Sequence, residues 1–293
     1  MYYYKILKGN LLTFRNCNFE NIIEGKTHTN ISIPQFSNTN MISNQMHELN
    51  NQDFIIQHIQ FSADSEQYIS ARENSYLILV NLLDSPIIND GYLIKRNNVL
   101  VLEENQTTHI LSKNLFDALI ININSDTIRD YIPHGIYKSS DKNLFKKFKE
   151  TILLNCTTDT KLKKEKILKI VNQLLNSLII QQNKIEVKHY NEYKKISKFI
   201  QTNYKENFTS RDLAEEFAIS ERTLRYVFEH TIGISPIKYI KNYKLYKLKY
   251  ELLNNPNQKI TNSIINSGLE HHSLVTRDFK KLFGKTPKEF IRA

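Results

Sequence analysis

The feature that most constrains this chain is an internal repeat near its C-terminus. Thr231-Ile232-Gly233-Ile234-Ser235-Pro236-Ile237-Lys238-Tyr239-Ile240 lies over Leu282-Phe283-Gly284-Lys285-Thr286-Pro287-Lys288-Glu289-Phe290-Ile291 at an offset of 51 residues. The same offset pairs Leu213 with Ile264, Ala214 with Ile265, Leu224 with Val275 and Phe228 with Phe279, without a gap. A period of this size, kept through a whole supersecondary unit, calls for two copies of one structural element.

Each copy follows helix-turn-helix logic. In the first, Ser210 is the expected cap of a helix running through Phe217, with Leu213, Ala214 and Phe217 inward. Ala218-Ile219 makes the turn, and Ser220 caps a second helix from Glu221 to about Thr231. Leu224, Val227 and Phe228 then face inward, leaving Glu221, Arg222, Arg225, Tyr226 and Glu229 outward. Gly233 supplies the positive φ that ends this helix, and Pro236 fits the first turn of the next. In the second copy Ile260, Ile264 and Ile265 line the first helix, and Gly268 makes the turn. A helix from about His271 to Phe283 buries Val275, Phe279 and Leu282, turning His272, Ser273, Thr276, Arg277 and Lys280 outward.

Between the copies, Ile237–Leu253 reads as one helix. Tyr239, Ile240, Tyr243, Leu248, Leu252 and Leu253 are its apolar positions, and Lys241, Lys244, Lys247 and Lys249 its charges. At about 1.5 Å per residue it spans roughly 26 Å, enough to set two recognition helices about one DNA turn, ~34 Å, apart.

The region from about Tyr193 to Arg292, a third of the chain, resembles the AraC/XylS family of bacterial transcription regulators. The marks are Asp212-Leu213-Ala214, Ser220-Glu221-Arg222-Thr223-Leu224, Phe228, Gly233-Ile234-Ser235-Pro236, Lys244-Leu245, Gly268-Leu269, the run Thr276 to Gly284, and Thr286-Pro287. Four positions depart from the family pattern: Ile264-Ile265 for Ile-Ala, Leu269 for Phe, Leu274-Val275 for an aromatic pair, and Lys244 for Arg. All keep the polarity of the pattern. The resemblance implies a DNA-binding activator that works with RNA polymerase, controlled by an N-terminal effector or dimerisation domain often built as a cupin-like barrel.

Up to about Ile123 the chain reads as short strands between turns. Candidates are Phe54–Ile59, Tyr76–Val80, Tyr92–Ile94, Val99–Leu102 and Ala118–Ile123, punctuated by Asn89-Asp90-Gly91 and Arg96-Asn97-Asn98. An antiparallel sandwich or barrel follows. From Ser125 onward the period becomes helical: Leu144, Phe145, Phe148, Ile152 and Leu153, then Leu162, Ile167, Ile170, Val171, Leu174, Leu175 and Leu178. The second stripe suits packing on the chain's own sheet or pairing with the same helix of a second subunit, making a homodimer. The lysine-rich stretch Asn183–Lys195 lacks a strong apolar period. The expected fold class is therefore α+β. A β-rich regulatory or dimerisation domain with C-terminal helices covers residues 1–185, and an all-α domain of two helix-turn-helix units joined by a linker helix covers residues 190–293.

Charge sharpens this division. The net charge of +10 is distributed as −4 over residues 1–140, +6 over 141–190 and +8 over 191–293, so a polyanion would meet the C-terminal half. The two cysteines, Cys17 and Cys156, are too few for a zinc or disulfide framework. Glu270-His271-His272 contains zinc-ligand types, but adjacent residues on a helix cannot converge on one ion. His28, His47, His58 and His109 are scattered rather than clustered, so no metal and no cofactor is expected. An enzyme built on the barrel is the alternative class. Against it, the chain has only 7 glycines and no phosphate-binding glycine loop, Gly-x-Ser-x-Gly elbow or His-Glu-x-x-His motif. No run of about 18 apolar residues occurs, and the start, Met1-Tyr2-Tyr3-Tyr4-Lys5, lacks the pattern of a secretory signal. The expectation is a cytoplasmic protein without a membrane partner.

Candidate contacts divide by chemistry. Arg222, Arg225 and Tyr226 stand where the family reads bases, and arginine can bond guanine O6 and N7 together. The competing readings are a surface pair of Arg222 with Asp212 or Glu229, and packing or phosphate contact for Tyr226. His272, Ser273, Thr276 and Arg277 are the equivalents in the second unit, Arg277 being also a candidate for an internal ion pair. Lys280, Lys281 and Lys285 run toward the backbone, where they would bond phosphates or be merely solvated. Promoter duplex DNA is the expected partner, and a small-molecule effector of the N-terminal domain is a further candidate.

Overall fold

The computed structural model describes residues 13–17, 44–50, 53–61, 65–113, 115–128, 131–141, 143–147, 150 and 161–291. The chain forms two compact units, one built on Gln67–Glu186 with the strands that precede it, the other on Val187–Ala293.

Twelve described strands make up most of the first unit: β1 (Thr13–Cys17), β2 (Asn44–Asn50), β3 (Phe54–Phe61), β4 (Ser65–Ser70), β5 (Ser75–Asn81), β6 (Ile87–Asn89), β7 (Tyr92–Ile94), β8 (Asn98–Leu102), β9 (Thr107–Ser112), β10 (Phe116–Asn124), β11 (Gly135–Ser139) and β12 (Leu178–Ile180). They form an eight-stranded sheet, ordered β1-β2-β3-β10-β5-β8-β11-β12, and a four-stranded sheet, β4-β9-β6-β7. The central strand β10 pairs antiparallel with β3, Ile121 opposite Ile56, and with β5, Ile121 opposite Ile78. One face of the large sheet, carrying Ile56, Ile78, Val80, Val101, Leu119 and Ile121, packs against Leu144, Phe145 and helix α1 (Lys161–Asn176). The alternate residues Leu77, Leu79, Leu100 and Ile120 are buried as well. Burial on both faces explains why these strands read as continuous apolar runs rather than alternating ones.

Helix α1 settles its stripe on its own sheet through Ile167, Val171 and Leu174, with Ile170 and Leu175 partly covered. The expected stripe ran one element too far, because the helix ends at Asn176 and Leu178 opens the edge strand β12. The expectation of helices alone after Ser125 is also corrected by β11, which enters the sheet beside β8 with Ile136 opposite Leu100. Phe148, Ile152, Leu153 and Cys156 lie outside the described residues, as does the side chain of Leu162.

The second unit is helical: α2 (Tyr190–Thr202), α3 (Ser210–Glu216), α4 (Glu221–Ile232), α5 (Pro236–Asn254), α6 (Ile260–Asn266), α7 (His272–Phe283) and α8 (Pro287–Ile291). Tyr193 of α2 meets Phe228 and Tyr239 edge-on at 5.2 and 6.2 Å between ring centroids, which centres the core of the first half. The second half is held by Leu245, Leu248 and Leu252 of α5 with Ile264, Val275, Phe279, Leu282 and Phe290. Repeat partners therefore occupy equivalent core places: Leu213 and Ile264, Leu224 and Val275, Phe228 and Phe279 are all buried.

Three local expectations are corrected. The cap of α3 is Thr209 rather than Ser210, in a reciprocal capping box with Asp212. Ile265, unlike its repeat partner Ala214, is 62% exposed, so Ile264 alone of that pair lines the core. A larger side chain at that place has been turned outward instead of overpacking the unit. The lysines of the linker helix are not all solvated, since Lys244 is 5% and Lys249 3% exposed. Lys249 places its ammonium over the rings of Phe283 and Phe290, 5.1 and 5.3 Å from their centroids.

Candidate nucleic-acid interface

Local chemistry fixes each helix-turn-helix unit. Ser220 accepts from the Thr223 backbone N–H at 3.0 Å and starts α4. Gly233 and Gly284 close α4 and α7 in the left-handed region at φ 79° and 78°, with Pro236 and Pro287 opening the helices that follow. The turns differ between the copies. Four residues, Phe217–Ser220, join α3 to α4 with Ala218 at φ 51°, whereas five, Ser267–His271, join α6 to α7 with Gly268 at φ 71°. Gly268 is required for a second reason: a Cβ there would stand 2.8 Å from the backbone Cα of Lys205. The second turn is thus pressed against the chain leaving α2.

With Leu224, Val227 and Phe228 buried, the opposite face of α4 presents Arg222, Arg225, Tyr226 and Glu229 to solvent. Arg225 Nε donates to Glu229 Oε1 at 2.8 Å, and its side chain remains 70% exposed. Glu229 is therefore committed to Arg225, and Asp212 is committed to the capping box. Among the described residues neither carboxylate pairs with Arg222, whose guanidinium is left to solvent. Tyr226 sits between two imidazoles, edge-on to His189 and stacked on His230, each at 5.4 Å between centroids. These contacts brace its ring while leaving the side chain half-exposed.

On α7, Val275, Phe279 and Leu282 are buried while His272, Ser273, Arg277, Lys280 and Lys281 are exposed. Thr276 is partly covered and returns its hydroxyl to the His272 carbonyl at 2.9 Å. Arg277 Nε lies 3.3 Å from Asp278 Oδ1, and Lys241 pairs with the other carboxylate oxygen. Partial burial by itself would raise the Asp278 carboxyl, but the hydrogen bonds and charges of Lys241 and Arg277 hold it below the ordinary value. Beyond the helix, Lys285 is half-buried close to Glu289. That carboxylate caps α8 by accepting from the Thr286 N–H at 2.7 Å, and this bond first, then the charges of Lys280 and Lys285, lower its pKa.

The helix termini of the second unit bring together residues that periodicity did not single out. Lys259, Thr261, Thr286 and Lys288 join His272 and Thr276 around one hollow of about 710 Å³. Lysine and threonine at helix starts are the signal that could have found them, because backbone N–H groups and cations gather there.

Residues 213–293 match a family model described as a helix-turn-helix domain. A XylDLEGF operon transcriptional activator from Pseudomonas putida is 30% identical over 103 residues, which is 34% of this chain and 32% of that protein. XylDLEGF operon transcriptional activator 2 of the same organism is 29% identical over 102 residues, 34% of this chain and 64% of that one. The chain thus spans about a third of the length of the first of these curated relatives. Among solved structures, a probable AraC family transcriptional regulator from Rhodopseudomonas palustris is 22% identical, covering 35% of this chain and 95% of its own at a TM-score of 0.33. ToxT from Vibrio cholerae is 14% identical, covering 83% of this chain and 98% of its own at a TM-score of 0.31. Through residues 213–293, within the double helix-turn-helix region, this chain carries a helix-turn-helix domain and is similar there to the XylDLEGF operon transcriptional activators.

Proposed function

We propose that the chain is a sequence-specific duplex-DNA-binding transcription regulator, an activator, that reads two adjacent major grooves with α4 and α7. The observation that carries this reading is the repeated division of each recognition helix. One face is locked into its unit's core, and the other displays arginine, tyrosine, histidine and threonine, which can donate to base edges and phosphates. The charge of +8 over residues 191–293 supplies the counterion-release term that any such complex needs. The relatives' names as operon activators favour activation, and with it RNA polymerase as a partner.

Control is assigned to the first unit. It contains a cavity of about 880 Å³ between α1 and Ile128, Ile132 and Tyr137, bordered on the helix side by Leu168, Lys169 and Leu175. That size suits a small-molecule effector. Homodimerisation through the same unit is the other regulatory route, and sedimentation of the full chain with and without DNA separates the two.

The test of the DNA reading is footprinting and gel shift of the full chain on the DNA upstream of its own coding region. Two protected patches on one face, about one helical turn apart, are expected. A folded chain that shifts no duplex at ~50 mM salt, where phosphate contacts are strongest, refutes it.

A further inference from the structure

The second unit contains a cavity of about 440 Å³ bounded by the segment before α3, by α5 and by the start of α7. Its volume lies within the roughly 300–1,000 Å³ of ordinary small-molecule sites. Ile237 and Leu274 form part of its wall and are 42% and 46% exposed, so the wall offers accessible apolar surface. Lys244 lies on the same wall, although the residue as a whole is almost inaccessible.

The polar side of the cavity is a relay. Lys244 Nζ donates to Asn207 Oδ1 at 2.9 Å, and Asn207 Nδ2 donates to Glu270 Oε1 at 2.7 Å. It joins the chain before α3, the linker helix and the turn of the second unit, where Gly268 already abuts Lys205. An ammonium has three N–H donors, and among the described residues the acceptor bonded to Lys244 is one neutral amide oxygen. Burial lowers the pKa of this lysine, opposed by the charge of Glu270. A covered cation without a directly bonded anion is costly, so the site favours an incoming negative charge. Of the neighbouring carboxylates, Asp278 is engaged by Lys241 and Arg277, and Glu270 reaches Lys244 only through Asn207, so Lys241, Lys244 and Arg277 leave the lining with an excess of positive charge over these two acids.

We propose that this cavity is a binding site for a small amphipathic organic monoanion, a carboxylate or sulfonate on an apolar body. The anionic head bonds Lys244 and the body lies between Ile237 and Leu274. Occupancy also puts negative charge beside α7, whose Arg277 borders the cavity, and so lowers affinity for DNA. That last consequence rests on the DNA-binding reading above, whereas the ligand site does not.

The test is a fluorescence titration of the full chain with 8-anilinonaphthalene-1-sulfonate, followed by DNA-binding curves with and without saturating probe. One saturable site is expected, weakened about tenfold or more by Lys244→Met, the scale of a lost bond to a charged group. Ile237→Glu, at an exposed position that leaves the fold intact, weakens it similarly by repelling the head and breaking the wall. The neutral N-phenyl-1-naphthylamine binds wild type and Lys244→Met alike. The sulfonate lowers wild-type affinity for DNA at least about threefold and leaves Lys244→Met unchanged, through the electrostatic coupling. Sulfonate binding that is equal in wild type and both variants overturns the ligand site, and wild-type DNA affinity indifferent to the probe overturns the coupling. Lys244-dependent probe binding in a chain that binds no DNA refutes the regulator reading and upholds the ligand site.

Discussion

Arg225 and Glu229 stand one turn apart on α4, joined Nε to Oε1 at 2.8 Å, while Arg222 on the same face has no carboxylate partner among the described residues. The pair fixes the orientation of one guanidinium and leaves the other to solvent. In the proposed complex both arginines would meet bases, whereas Lys280 and Lys281, in the last turn of α7, would meet phosphates.

The two kinds of contact carry different signatures. A lost bidentate base contact costs about 1–3 kcal/mol and relaxes one base position, whereas a lost phosphate contact weakens every sequence alike. Arg225→Ala is therefore expected to lower the ratio of specific to non-specific affinity roughly 5- to 150-fold, with Arg222→Ala acting in the same sense. Lys281→Ala should leave that ratio nearly unchanged and reduce the salt slope by about one. Binding curves on a cognate and a scrambled duplex at several salt concentrations read both. Equal weakening of both duplexes by Arg225→Ala would move the base-reading role to His272, Thr276 and Arg277.

Two left-handed glycines separate conformational strain from steric conflict. Gly233 has φ +79° with nothing within 4 Å of an added Cβ, while Gly268 has φ +71° and the Lys205 backbone at 2.8 Å. Gly233→Ala is expected to cost about 1–2 kcal/mol, the ordinary penalty of that backbone region. Gly268→Ala should cost at least about twice as much, because backbone must shift as well. Urea unfolding followed by helical circular dichroism measures both, and equal costs would show that the second turn yields without resistance.

The pairing of Lys241 with Asp278 makes stability depend on pH in one direction. The folded carboxyl titrates below its unfolded value of about 3.9, so the pair contributes above that pH, and its contribution is lost as pH falls through the folded pKa. Asp278→Asn is expected to cost about 1 kcal/mol at pH 7 and progressively less below pH 4, with the two stability curves converging in acid. A constant difference between the curves from pH 7 to pH 3 would assign the loss to packing instead.

Much of the helical half was legible because its determinants are local. Gly233, Gly284, Pro236 and Pro287 declare helix ends by backbone conformation alone, Ser220 declares a start by its hydroxyl, and the spacing of Leu224, Val227 and Phe228 fixes which face of α4 is left over. Those are properties of a few consecutive residues, so the outward placement of Arg222, Arg225 and Tyr226 could be read without a partner in view.

Tertiary structure decided what depends on distant residues. Strands β11 and β12 exist because β8 and β11 offer them hydrogen bonds, and a three-residue run such as Leu178-Ile179-Ile180 has no period by which to announce itself. Helix α5 is covered on most sides, so Lys244 and Lys249 are buried where their charge predicts solvent, and Ile265 is exposed where its repeat partner Ala214 is buried. The amino-acid sequence by itself determined two copies of one helix-turn-helix unit and which face of α4 is turned outward. Only the folded chain decided that Arg225 would be held by Glu229, that Asn207 would link Lys244 to Glu270, and that a cavity would open beside them. Such contacts arise when segments far apart in sequence are brought together, and a local pattern contains no information about what will stand opposite it.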